Sequence, residues 1–151
     1  MLLTTVCTVV LAVLVVTESG FAQNAKYIGV QACSQCHQEE YDNFLKFSKK
    51  AHSIDSVKRM AKDLTQDELN ECYQCHSTGF GEPTGFKSFE ETPHLANAGC
   101  ESCHGPGSTH AETEDPDDIK GSLTIQDCET CHNAERVNSF NFKPLIYGGA
   151  H

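Results

Sequence analysis

The chain has 151 residues and a formal net charge of -10, from 21 acidic against 11 basic side chains, with no tryptophan and 8% aromatic residues. That length holds one domain, the acidity argues against nucleic acid and anionic membrane surfaces as partners, and the shortage of large apolar side chains argues against a protein core of ordinary size. Nine cysteines in so short a chain therefore need a role of their own.

Met1 to Val16 is an uncharged apolar run that passes through Thr17, Glu18 and Ser19 into polar sequence, with Gly20 and Ala22 as the small residues before a cut at Gln23. Residues 1–22 read as a signal peptide, since the run is short for a bilayer span. No Lys or Arg precedes it, which is atypical, and an uncleaved anchor is the alternative. Cys7 leaves with the leader. Residues 23–151 then form one domain, with eleven cationic side chains against twenty anionic ones, a balance of -9. The expected location is periplasmic or extracellular, with no stable membrane span after cleavage.

Tyr27 to Val30 leads into Cys33-Ser34-Gln35-Cys36-His37, a C-x-x-C-H pattern of the kind that attaches a haem covalently, which returns three more times along the chain. Gln38 to Lys50 reads as a helix with Tyr41, Phe44, Leu45 and Phe47 toward one side, and His52 follows its end. Ile54, Val57, Ala61 and Leu64 predict a second helix over Ile54 to Leu64. Thr65-Gln66-Asp67-Glu68 resembles a capping box that starts a helix carrying Cys72 to His76. Gly79 to Glu91 reads as an irregular loop or small hairpin that lays Phe80, Phe86 and Phe89 over a haem face. Thr92-Pro93 reads as an N-cap and first helical position, which would put Cys100 to His104 at the end of a short helix stopped by Gly105-Pro106-Gly107. Glu112 to Asp118 reads as a solvated acidic loop. Thr124 to His132 is expected to be the last motif helix, and Arg136 to His151 an extended tail around the fourth haem. The fold class is thus mostly α with much irregular structure, organised around its cofactors.

The four C-x-x-C-H motifs, Cys33 to His37, Cys72 to His76, Cys100 to His104 and Cys128 to His132, use every cysteine beyond the leader. In this motif two thiols add to the vinyl groups of a haem and the histidine becomes an axial ligand, so four covalent haems c are expected. Cys33, Cys36, Cys72, Cys75, Cys100, Cys103, Cys128 and Cys131 would carry them, with His37, His76, His104 and His132 as proximal ligands. A zinc ribbon would also use paired cysteines, but it does not require a histidine after every second one. The irregular spacing of the motifs excludes a solenoid array.

His52, His94, His110 and His151 remain as distal candidates, enough for four bis-histidine irons; Met60 is the one methionine beyond the leader, so at most one haem is His/Met ligated. His37 and His52 are separated by a predicted helix of about 22 Å, too far to grip both faces of one iron. His110 follows His104 by a path of about 20 Å at full extension, barely enough to round a porphyrin edge. Both are expected to serve neighbouring haems, and an exchange between haems one and three would lock those two side by side. His94 is within the reach of haem two, since the chain from His76 spans on the order of 60 Å extended.

The segment Gly99-Cys100-Glu101-Ser102-Cys103-His104-Gly105-Pro106-Gly107-Ser108-Thr109-His110 resembles the cytochrome c-554 family of tetrahaem cytochromes. The likeness extends to Tyr27-Ile28-Gly29, Ser48 to His52, and Cys75-His76-Ser77-Thr78-Gly79-Phe80-Gly81. It implies a mostly helical, haem-packed domain that shuttles electrons outside the cytoplasm, with His52 and His110 as distal ligands to stacked haems three and one. It also implies a late histidine, here His151, on haem four. In the type member the second haem lacks a distal ligand, whereas this chain carries His94.

The leading expectation is an electron carrier without substrate turnover, working with redox protein partners of basic surface. The alternatives are an enzyme reducing a small nitrogen or oxygen species at an open haem two, and a self-associating subunit of an extracellular conducting filament.

Overall fold

The computed structural model describes residues 25–134. Seven short helices follow one another: α1 (Val30–Cys33), α2 (Gln38–Phe47), α3 (Ile54–Met60), α4 (Gln66–His76), α5 (Glu101–His104), α6 (Ser108–Thr113) and α7 (Ile125–Glu129). Single 3₁₀ turns lie at Lys49–His52, Ala61–Asp63, Pro93–Leu95 and Pro116–Asp118. Among the described residues there is no strand, and the rest is irregular. The leader and the tail containing His151 lie outside them.

Glu39 and Glu40 in the first turn of α2 and Lys46 in the last complement the helix dipole. The helix ends at Phe47, three residues before its expected end, because Ser48 turns extended and its hydroxyl accepts from Lys50 N–H, starting a new turn. That turn carries His52. The next helix buries Ile54 and Val57. It also stops early, at Met60, and Leu64 is extended before the Thr65 cap. Thr65 and Glu68 form the expected capping box, an arrangement of about 1 kcal/mol.

Phe86, Leu95 and Ala96 form a buried cluster flanked by Tyr27, Tyr73, Phe80 and Phe89. The 79–91 loop is irregular as expected, but its aromatic rings do not simply cover a cofactor. Phe86 and Phe89 meet Tyr73 of α4 with ring centroids at 5.2 and 6.3 Å, so they build the polypeptide's own core. The loop is drawn in by bonds from Phe86 N–H to Thr78 O (2.8 Å) and from Thr78 N–H to Leu95 O (2.9 Å).

Pro93 opens only the 3₁₀ turn Pro93–Leu95, and the third motif lies on the separate helix α5. Thr92 does not cap that turn; its hydroxyl instead accepts from Lys87 N–H at 2.8 Å. Gly105, at φ 78°, ends α5, and α6 follows without any strong sequence signal. The last helix is shorter than expected, ending at Glu129, but it gains a capping box between Thr124 and Asp127.

Candidate haem sites

In three motifs the histidine N–H bonds to the carbonyl of the first cysteine: His37 to Cys33 (2.9 Å), His104 to Cys100 (3.1 Å) and His132 to Cys128 (2.8 Å). The second motif lies within α4 and has the same helical spacing. A helical turn directs positions i and i+4 to one face, so one thiol and the imidazole of each motif address the same side. That is what attachment of one planar group requires. None of the eight described cysteines is in a disulfide. Among the described residues no three His, Cys, Asp or Glu side chains converge on one metal position.

The histidines are tethered through the ring nitrogen that would face away from a metal. His76 Nδ1 lies 2.8 Å from Ser53 O, His104 Nδ1 2.7 Å from Lys120 O, and His110 Nδ1 2.8 Å from Asp115 O. A carbonyl only accepts, so Nδ1 donates in each case and Nε2 keeps its lone pair. Metal-ligating histidines are held in this way by their outer partners. His110, outside any motif, shares this arrangement with two motif histidines. Burial, aided by the charge of Lys50, lowers the affinity of His132 for a proton and favours the neutral ring that a metal needs.

The rings of His37 and His110 lie with centroids 6.1 Å apart and planes inclined at 25°. Two imidazoles on opposite sides of one metal, each nitrogen at about 2 Å from it, place their centroids about 6 Å apart. The separation of His37 and His110 is of that size.

The stretch before α1 explains how they meet. Lys26 and Ser108 exchange bonds, Lys26 N–H to Ser108 Oγ (2.8 Å) and Ser108 N–H to Lys26 O (3.1 Å). Glu101, 2% exposed, accepts from Ile28, Gly29 and Gly107 N–H. The Cys33 and Cys100 thiols interact, which lowers the pKa of Cys33 and raises that of Cys100. The first and third motifs are therefore neighbours, as the reach of His52 and His110 requires of any exchange between them.

A cavity of about 990 Å³ gathers Cys75 and His76 of the second motif, Cys103 of the third, and Cys128, Cys131 and His132 of the fourth, together with His52. Its volume is at the upper end of ligand-sized clefts, about 300–1,000 Å³. His52 and Cys103 border the same space. His94 does not line it: that residue is exposed, and its ring carbon Cδ2 and carbonyl would each lie 3.1 Å from a Cβ on Gly29, beside α1. His151 falls outside the described residues.

Sequence patterns gave no warning of Ser53, Asp115 and Lys120, whose backbone carbonyls carry no side-chain signature, nor of Glu101 as a bridge. A buried glutamate inside a haem-attachment motif was the available signal, and burial is not visible in the motif itself.

The model of the family described as cytochrome c554 and c-prime matches residues 32–105. The curated cytochrome c-554 of Nitrosomonas europaea is 35% identical over 116 residues, covering 67% of this chain and 48% of the relative. The chain thus spans about half the length of the curated relative it matches. No solved structure matches it.

Proposed function

The chain belongs to the cytochrome c554 family, and from that premise we propose that it is an exported electron carrier holding four haems c. Bound haem iron supplies one-electron exchange between ferric and ferrous states. Cys33 and Cys36, Cys72 and Cys75, Cys100 and Cys103, and Cys128 and Cys131 hold the four groups covalently, and His37, His76, His104 and His132 are their proximal ligands. His110 serves the group on the first motif and His52 the group on the third, with His151 assigned to the fourth. Ser53, Lys120 and Asp115 fix the tautomers of His76, His104 and His110 through their carbonyls. The acidic surface suits a redox partner of basic surface.

The observation that carries this reading is the closeness of His37 and His110, because two imidazoles holding one iron would occupy both its faces and leave transfer of electrons as its chemistry. Intact mass and peptide mapping test it: the processed chain should carry four haems, one per motif. Electron paramagnetic resonance during stepwise reduction reports the ligation of each. A motif without haem would overturn the count.

A second reading, reduction of a small nitrogen or oxygen species at an open iron on the second motif, is favoured by one observation. His94 lies against Gly29 rather than in the cavity lined by Cys75 and His76.

A further inference from the structure

We propose that Glu101 is a positioning residue for electron transfer between the groups on the first and third motifs. This rests on the haem assignment above and goes beyond it, to a side chain that neither attaches nor ligates a haem. Glu101 lies between Cys100 and Cys103, inside the third motif, yet its bonds run to the approach of the first. Oε1 accepts from Gly107 N–H at 2.8 Å and Ile28 N–H at 3.0 Å, and Oε2 accepts from Gly29 N–H at 2.7 Å and Ile28 N–H at 3.1 Å. All three partners are backbone donors, and the side chain is shut off from water.

Such a carboxylate does two things at once. It ties the entry to α1, just before Cys33, to the first residue of α5, just after Cys100, through charge-assisted bonds that are stronger than neutral ones. It also puts an anionic group between two attachment sites where little water screens it. The contact around it is close: a Cβ on Gly99 would meet Val30 Cγ1 at 2.6 Å, so the two segments touch backbone to side chain. The distance between two redox groups sets their electronic coupling, and a nearby negative charge stabilises the oxidised iron. Glu101 therefore controls both the spacing and the potentials of this pair.

The test is Glu101→Gln in the haem-loaded protein, read by potentiometric titration. Glutamine keeps the size but removes the charge and turns one acceptor into a donor facing N–H groups. The expected result is a shift of about tenfold toward reduction, about 59 mV for a one-electron couple, in two of the four haems. Those two should be the ones whose spectra change in His110→Ala and His52→Ala. Four haems with unchanged potentials, or an equal shift in all four, would overturn the inference. A native protein lacking haem on the first or third motif would instead overturn the haem assignment on which it rests. Should Glu101→Gln fail to load, Gly107→Ala decides. Its Cβ would lie 3.3 Å from Oε1, displacing the carboxylate while keeping its charge. Altered paramagnetic signals from the same two haems support the inference, and unaltered ones overturn it.

Discussion

The imidazole centroids of His37 and His110 lie 6.1 Å apart, although 73 positions of chain separate them. What brings them together is local on both sides. His37 ends the turn that follows α1, and His110 sits on α6 with its Nδ1 bonded to Asp115 O. The exchange of bonds between Lys26 and Ser108 then closes the distance.

Replacing His110 should therefore open a single iron. In His110→Ala the oxidised spectrum is expected to gain one high-spin haem, assignable to the first motif, with all four haems retained. Imidazole added in solution should return that haem to low spin. A high-spin signal arising on the third motif would contradict the pairing.

His52 makes the reciprocal case. It borders the cavity that Cys103 also lines, and it ends the 3₁₀ turn Lys49–His52 that precedes α3. His52→Ala should open the haem of the third motif, visible as a new high-spin signal and as carbon monoxide binding in the reduced protein. If the change appears on the first motif, His52 serves its own nearest haem and the exchange is wrong.

These residues also mark how far the sequence could be read. The four C-x-x-C-H motifs and the Thr65–Glu68 cap are legible because each is a local pattern with a fixed spacing. Helix ends were less so: α2 and α3 stop early where Ser48 and Leu64 turn extended, a choice made by hydroxyl capping and by the next helix's cap rather than by hydrophobic period. The aromatic loop divides: Phe80 lines the cavity beside Cys75 and His76, whereas nothing in the composition reveals that Phe86 packs on Tyr73 of α4. Contacts between distant segments, such as Glu101 with Ile28 and Gly29, leave no period at all.

The aromatic loop depends on a crossing of two glycines. Gly85 is buried, and a Cβ there would coincide with the carbonyl of Gly79. Gly85→Ala must push the two backbone segments apart and break the bond from Phe86 N–H to Thr78 O beside them. Overpacking of this kind costs about 1–3 kcal/mol. Thermal unfolding of the holoprotein should show a lowered Tm with haem content unchanged; a Tm equal to the native value would mean that the loop reshapes freely.

Acid should act on α7 through Asp127. Its carboxylate is held down to about 2 first by Lys120, with which it forms an ion pair, and then by the backbone and hydroxyl of Thr124. A folded-state value below the usual 3.8 means that this group's stabilising contribution is complete above that value and is lost as pH falls toward 2. Asp127 caps the start of α7, so the effect centres on the last motif helix. Asp127→Asn should make the fourth haem's environment independent of pH over that window, as read by its visible spectrum, while the native protein shows a transition. Identical acid titrations for the two proteins would exclude this role.

The haem on the second motif distinguishes a carrier from an enzyme. His76 is held from behind by Ser53 O and approached by the Ser56 hydroxyl at 3.3 Å, so its orientation is set by α3 rather than by anything near His94. The His94 ring lies beside Gly29, whose φ of 82° starts α1 at the first motif. From this placement, His94→Ala should leave the ligation of the second haem unchanged. The native oxidised protein should then show one high-spin iron, assigned to Cys72 and Cys75 by its persistence in both His52→Ala and His110→Ala. Carbon monoxide or nitric oxide should bind that iron when the protein is reduced, and steady turnover of a small nitrogen oxide would move the reductase reading ahead of the carrier. A native spectrum that is wholly low-spin, with a new high-spin signal in His94→Ala, would show instead that His94 swings from Gly29 to cap the second haem.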